Sequence, residues 1–402
     1  MYNAILCRYH EIAIKGNNRH MFERCLMDNI HVLLKKEGID FSVKRVRGRV
    51  WIEKSDLSNF SDTELVKVKK ALSRTFGMES FSPAIKIQSD MQAIESKLAE
   101  VTPLVLADYF AKKEIVKFRI RARRSNKEFP LCSKDIEIAL ARVVADNCDS
   151  SRLKVDLDHA ELTFGCEVRD EFSILFFEEC KSPGGLPVGC NGKVLALLSG
   201  GIDSPVACYM TMKRGCPVDY LSFHSTPYTP VETTDKIKGI ATFLNTFQRG
   251  GKLFLCNLVE FQKAVRDFCQ PRYRTILYRR GMLRIAEAIS AKYGHLALLT
   301  GDSVGQVASQ TIENMSTIDR ATNMLVLRPL VGMDKNEAIK IATNIGSFEL
   351  SNVQVPDSCT VFSPSQAATH STVDLIENEE KKIVNYDEII TEIANNAEIF
   401  QL

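Results

Sequence analysis

Four short apolar runs, KVLALL (193–198), VDYLSF (218–223), KLFLCNL (252–258) and HLALLT (295–300), follow one another with a helix-like stretch between each pair. A strand that faces water on one side alternates apolar with polar residues, whereas a strand covered on both sides reads as an unbroken apolar run. The succession therefore predicts a parallel, doubly wound α/β sheet with helices on both faces. In such sheets ligands bind beyond the carboxyl ends of the strands.

The preceding part of the chain has a different grammar. Residues 1–59 open with an apolar run (Ala4 to Cys7), pass through a charged turn into a helix-like stretch near Met21 to Lys36, and return to a β signal at Arg45 to Glu53, where Gly48 permits a bend. Residues 60–169 alternate helix-like stretches (Asp62 to Leu72, Asp90 to Tyr109, Lys134 to Asn147) with short strands (Ile115 to Ala122, Leu162 to Val168). Both regions read as small α+β domains. Segment 170–192 crowds Pro183, Gly184, Gly185, Pro187, Gly189 and Gly192 together as a linker does, so the large domain is expected over 193–402.

A chain of 402 residues with 45% apolar and 25% charged residues can bury several cores, which excludes a disordered or fibrous protein. No apolar run approaches the length of a membrane span and the first residues lack a signal-peptide stretch, so a cytoplasmic location with no membrane partner is expected. The twelve cysteines are scattered from Cys7 to Cys359 without C-x-x-C or zinc-like spacing; no metal site is expected, and most should be reduced core thiols.

The net charge of +2 is unevenly spread. Lys112, Lys113, Lys117, Arg119, Arg121, Arg123, Arg124 and Lys127 stand against the single acid Glu114, and a second basic stripe runs from Lys263 to Arg284 with only Asp267 opposing it. An acidic tail from Ser371 onward compensates. Two separate stripes on a nearly neutral chain suggest a long polyanion touched by more than one domain; two solvated faces are the plainer alternative.

The first apolar run leads into Ser199-Gly200-Gly201-Ile202-Asp203-Ser204-Pro205 and then a helix-like stretch. Adjacent glycines let the backbone approach a ligand, and the following helix directs free N–H groups and its positive dipole end at the same point, which makes a phosphate cradle. Ser204 is the expected N-cap, with Pro205 at the first helical position. A second strand-to-loop unit, HLALLTGDSVGQVASQT, places Gly301, Gly305, Gln306, Ser309 and Gln310 beside it, and a helix-like run over 278–289 carries Arg279 and Arg280, either able to hold phosphate. Asp334 and Glu337 have capping-box spacing. Cys359, in a polar loop between Pro356 and Pro364, is the best candidate for an accessible thiol, although composition alone favours a structural cysteine.

The SGGIDS loop resembles the signature of the PP-loop ATP pyrophosphatases, which cleave between the α and β phosphates. Together with RYHEIAIKGNNRHMFE (8–23), FRIRARRSNKEFPLCS (118–133), FHSTPYT (223–229), TILYRRGMLRIAEAI (275–289), TGDSVGQVASQTIENM (300–315), LRPLVGMDKNEAI (327–339) and PDSCTVFSP (356–364), it resembles the tRNA 4-thiouridine synthetase (ThiI) family along almost the whole chain, in its short form without a rhodanese domain.

That resemblance implies a ferredoxin-like domain (1–59), a tRNA-binding THUMP domain (60–169) and a PP-loop domain (193–402). It implies ATP-dependent replacement of O4 of uridine 8 in tRNA by persulfide sulfur, giving AMP and pyrophosphate, with a further role in supplying sulfur for the thiamine thiazole. ATP would be held by Leu197, Leu198, Ser199, Gly200, Gly201, Asp203, Ser204, Ser222, Phe223, Arg279, Gly301 and Gln310, with Mg²⁺ assisted by Asp203. Cys359 would carry the persulfide, and the basic stripe Lys112 to Lys127 would bind tRNA. Implied partners are a cysteine desulfurase or other persulfide donor, a thiamine sulfur-carrier protein, and a second copy in a homodimer. Asp302 stands where the family usually has glutamate, His10 where it usually has glycine, and Ser358 precedes Cys359 where many relatives have a second cysteine. Cys180, Cys190, Cys208, Cys216 and Cys269 are available to resolve the persulfide but read more naturally as packing residues. The rival readings are a PP-loop ligase that adds nitrogen to an adenylylated substrate and a non-catalytic tRNA-binding protein.

Overall fold

The computed structural model describes residues 1–402 except 47, 356–361, 363 and 365. It divides into two compact units, Met1–Gly185 and Leu186–Leu402. No helix among the described residues is long and apolar enough to cross a membrane.

The first unit carries β1 (Ala4–Arg8), α1 (Arg19–Lys36), β2 (Phe41–Val46), β3 (Arg49–Lys54), α2 (Asp62–Leu72), β4 (Ser80–Gln88), α3 (Met91–Phe110), β5 (Val116–Arg124), α4 (Ser133–Asp146), β6 (Leu153–Val155), β7 (Leu162–Val168), β8 (Phe172–Phe176) and β9 (Cys180–Lys181). Its strands form one mixed sheet in the order β2-β3-β1-β4-β8-β7-β5-β6, with β9 alongside β4. The sheet thus runs continuously through the two regions that the sequence separates at residue 59, because β4 pairs with β1 on one side and β8 on the other. Segment 170–192 carries β8 and β9 before the glycines begin. Arg45 to Glu53, a single β signal in the sequence, is two antiparallel strands, and Gly48 at φ +79° supplies the left-handed residue that their tight turn needs. α2 begins in a complete capping box between Ser61 and Glu64, and the Asp90 carboxylate caps α3.

The second unit carries β10 (Val194–Leu197), α5 (Asp203–Lys213), β11 (Val218–His224), α6 (Val231–Leu244), β12 (Lys252–Asn257), α7 (Val259–Phe268), α8 (Arg274–Tyr293), β13 (Ala297–Leu299), α9 (Ile312–Asp319), β14 (Leu325–Leu327), α10 (Lys335–Ile345), α11 (Phe348–Asn352), α12 (Val373–Glu380), α13 (Tyr386–Asn395) and β15 (Glu398–Gln401). The sheet order is β14-β13-β10-β11-β12-β15. All neighbours are parallel except β15, which closes the edge antiparallel to β12. The four apolar runs are β10 to β13, buried on both faces as their lack of alternation requires. One core cluster joins Leu195, Leu221, Phe254 and Leu298 of these strands to Phe261 of α7 and to Ile276, Leu283 and Ile289 of α8.

Candidate active site

The chain lays down β10, β11 and β12 in one direction, then crosses back to β13 on the other flank of β10. The loops leaving β10 and β13 therefore diverge, and a crevice opens between them where open parallel sheets bind ligands. A cavity of about 600 Å³ occupies this place. Leu197, Leu198, Ser199, Gly200, Gly201, Asp203 and Ser204 from the β10–α5 loop line it, with Ser222 and Phe223 from β11, Arg279 from α8, and Gly301 and Gln310 beyond β13. The twelve positions assigned to ATP by resemblance thus surround one cavity.

Gly301 permits a close approach: a Cβ there would lie 2.7 Å from Ser204 N and 2.8 Å from the Asp203 carbonyl carbon. The two loops can touch only because this residue has no side chain. The cradle differs in one detail from the sequence expectation. α5 starts at Asp203 with Ile202 in the N-cap position, so Ser204 is its second residue and Pro205 its third. The Ser204 hydroxyl turns back to accept from Ser199 N–H at 3.0 Å, satisfying a donor inside the loop rather than the helix. No side chain among the described residues caps α5, which leaves its first-turn N–H groups available to an anion.

Two carboxylates organise the charge. Asp203 receives Lys335 Nζ at 2.9 and 2.8 Å on its two oxygens and Gln306 Nε2 at 2.9 Å. Lys335 is positioned by the capping box of α10, in which the Asp334 carboxylate accepts from Glu337 N–H at 2.9 Å. Asp302 is buried and accepts from Thr300 Oγ at 2.8 Å, Gln310 Nε2 at 3.0 Å and the Arg279 guanidinium, with Arg328 Nε at 3.4 Å. Burial pushes this carboxyl up, but the Arg279 charge and the donors outweigh it and bring it down to about 2. Arg279 also donates to Ser309 Oγ at 3.2 Å, so the shorter Asp302 still holds the arginine at the cavity wall.

Arg280, taken with Arg279 as a phosphate ligand on sequence grounds, faces the other way. It is fully buried, with Nε 2.7 Å and Nη2 3.0 Å from the Glu380 carboxylate and Nη1 2.5 Å from the Thr317 carbonyl. Successive residues on a helix point about 100° apart, so only one of the pair can face the cavity. Sequence reading missed Lys236, Lys335 and Arg328. Lys236 lines the cavity near Gly200 and donates to the Ser351 and Val353 carbonyls at 2.8 and 2.7 Å. Its place on a helix with no motif around it left no local signal, whereas Lys335 adjoins a readable cap.

Cys359 lies outside the described residues. Its segment departs from Val355, which lines the cavity, and returns at Phe362, whose carbonyl accepts from Arg274 Nη1 at 3.3 Å. Among the other thiols named from sequence, burial is the main force that raises Cys269 to about 11, Cys180 to about 12, and Cys208 and Cys216 above the ordinary cysteine value. None of these four is poised as a thiolate at neutral pH.

The basic stripe in the first unit is divided by the alternation of β5. Lys117, Arg119, Arg121 and Arg123 lie on its more exposed face, while Arg124 turns inward and donates to the Phe129 and Leu131 carbonyls at 2.9 and 3.0 Å. Lys113 pairs with Glu161, and Lys117 with Asp156 at 3.1 Å. Lys112 and Lys127 are exposed. Arg123 and Arg124 border a cavity of about 380 Å³ with Arg19, Arg49 and Arg169, arginines that the linear stripe does not contain.

The description "ThiI ferredoxin-like domain" matches residues 4–82, "THUMP domain" matches 90–178 and "Thiamine biosynthesis protein (ThiI)" matches 189–385. A protein of Halothermothrix orenii named "probable tRNA sulfurtransferase" is 37% identical over 407 residues, covering 100% of this chain and 99% of its own. The chain belongs to the tRNA sulfurtransferase family. A like-named family member from Acetivibrio thermocellus is also 37% identical, with 100% and 99% covered. The crystal structure of a 4-thiouridine synthetase–RNA complex with bound ATP superposes with a TM-score of 0.89 at 32% identity, covering 100% of both chains. PH1313 from Pyrococcus horikoshii shares the fold, with a TM-score of 0.67 at 22% identity over 86% of this chain and 99% of its own.

Proposed function

We propose that the chain is an ATP-dependent tRNA sulfurtransferase that converts uridine 8 of tRNA to 4-thiouridine. The observation that carries this is the cavity at the β10–β13 switch point, where the uncapped N-terminus of α5, the glycine pair and Arg279 converge on space sized for a nucleotide. The full-length likeness to a 4-thiouridine synthetase solved with RNA and ATP supports the choice of substrates.

Uridine O4 is a poor leaving group. Its attack on the α-phosphorus of ATP forms a P–O bond and releases pyrophosphate, after which AMP departs readily from C4 when sulfur attacks. Arg279 and the α5 N–H groups would hold the phosphates, with Asp302 orienting the arginine. Asp203 would hold Mg²⁺ with the nucleotide; its carboxylate is already at the loop, and its present partner Lys335 is a surface-accessible cation able to move onto the departing pyrophosphate. Mg²⁺ supplies charge neutralisation of the triphosphate. Cys359 would carry the terminal persulfide sulfur delivered by a cysteine desulfurase or other donor; its attack on C4 expels AMP and leaves a disulfide between Cys359 and the uridine sulfur, which a thiol reductant would cleave to free the thiouridine and the Cys359 thiol. The β5 arginines would bind the tRNA backbone, and a homodimer would present them in two copies. A cytoplasmic location suits these partners, and the same persulfide would serve thiamine thiazole formation. The test is AMP release: it should require unmodified tRNA and match pyrophosphate one for one, whereas tRNA-independent hydrolysis would contradict the reading.

A further inference from the structure

The second basic stripe is largely unused by the site described so far. Only Arg279 of it faces the cavity; Arg280 is buried against Glu380, and Arg274 is occupied by the Arg266 and Phe362 carbonyls. Lys263 and Arg266 remain partly exposed on α7, each with one surface carboxylate, Glu260 and Asp267. Such exposed pairs are weak and readily exchange the carboxylate for a phosphate.

Beside them stands Tyr228, 49% exposed, in the loop between β11 and α6. The residues on either side of that loop, Ser222 and Phe223 before it and Thr233 and Lys236 after it, line the nucleotide cavity, so the loop connects two stretches of the cavity lining. It is rigidly braced: Tyr228 and Thr229 N–H both donate to the Ser225 carbonyl, Ser225 Oγ bonds Gln262 at 2.7 Å, and Asn257 Nδ2 holds the Thr226 carbonyl at 3.1 Å. The Tyr228 ring meets Phe362 edge-on, with centroids 5.1 Å apart at 67°, and the Arg266 guanidinium lies 4.9 Å from the Phe362 centroid. An edge contact leaves a face of an aromatic ring open. A fixed half-exposed ring flanked by cations is the arrangement with which proteins hold an unstacked nucleotide.

We propose that Tyr228 is the stacking platform for the target pyrimidine: the uridine, turned out of the RNA stack, lies against its ring while Lys263 and Arg266 hold the adjoining phosphates. This rests on the function proposed above, whose chemistry requires C4 and O4 to leave the helix interior. Phe362, three residues after Cys359 in the sequence, packs on the same ring.

The test is steady-state thiolation of unmodified tRNA by the full chain with ATP, Mg²⁺ and sulfide, comparing wild type with Tyr228→Phe, Tyr228→Leu and Tyr228→Ala. Phenylalanine keeps a π face and should retain kcat/KM for tRNA, while leucine keeps bulk without one. The leucine and alanine variants should lose about ten-fold or more in kcat/KM for tRNA, with KM for ATP and the thermal midpoint unchanged. Leucine acting like wild type, or phenylalanine failing like alanine, overturns the platform and leaves the proposed function standing. A wild-type chain that makes AMP but never thiolated tRNA overturns the proposed function and the platform with it.

Discussion

Lys335 Nζ lies within 2.9 Å of both carboxylate oxygens of Asp203, tying the first turn of α10 to the first turn of α5. The pair sets a half-exposed cation against a carboxylate that lines the nucleotide cavity. Lys335→Ala should lower tRNA-dependent AMP formation by about 10²-fold or more, the scale of losing one donor to developing charge. Lys335→Arg should recover part of it. Radiolabelled AMP release measures both, and an alanine variant with unchanged turnover would remove Lys335 from the site.

Asp302 makes a prediction about acid. Its carboxyl lies at about 2, below the ordinary 3.8, so its contribution to stability is complete above the unfolded value and is lost as pH falls through the folded one. Between pH 4 and 2 the wild type should lose about 2 kcal/mol more than Asp302→Asn loses. Urea unfolding of both proteins across that window gives the difference. Parallel curves would mean that Arg279 does not hold this carboxylate in its charged form.

Gly301 is a steric requirement. The Cβ of Gly301→Ala would sit 2.7 Å from Ser204 N, and backbone cannot rotate away as a flexible side chain can. The substitution should cost about 1–3 kcal/mol and weaken nucleotide binding, because it separates the two loops of the cradle. Gly201→Ala, whose Cβ would meet only Ser199 Oγ at 3.5 Å, should leave stability nearly unchanged while still obstructing the nucleotide. Thermal unfolding with and without ATP separates the two effects.

The cysteines should sort by environment. Cys359→Ser should abolish thiolation from a persulfide donor while tRNA-dependent pyrophosphate release, the step before sulfur attack, continues. Cys208→Ala and Cys269→Ala should retain thiolation, since burial raises both thiols and disfavours the thiolate. Loss of sulfur transfer in either of these, with folding intact, would reassign the resolving thiol.

Much of this architecture is visible in the sequence because its signals are local. β10 to β13 stand out as unalternating runs, α10 as a capping box before a helix-like stretch, and the cradle as a glycine pair between strand and helix. What escapes is long-range or depends on facing. The partner of Arg280 is Glu380, one hundred residues away, so nothing near Arg280 marks it as structural. Helical geometry alone does say that Arg279 and Arg280 cannot both face the cavity. Ser204 has the composition of a cap, but the unsatisfied Ser199 N–H captures its hydroxyl, a competition that no sequence pattern reveals. Lys335 reads as a neighbour of a cap until the fold brings α10 to α5.

The measurement that bears most directly on the central claim is sulfur incorporation itself. Purified protein, ATP, Mg²⁺, sulfide and unmodified tRNA are incubated, the near-ultraviolet absorbance of the recovered tRNA is followed, and the modified nucleoside is located by mass spectrometry. The account predicts one 4-thiouridine, at position 8, formed with one AMP and dependent on Asp203. Pyrophosphate release that depends on tRNA but leaves no sulfur in the RNA would contradict it.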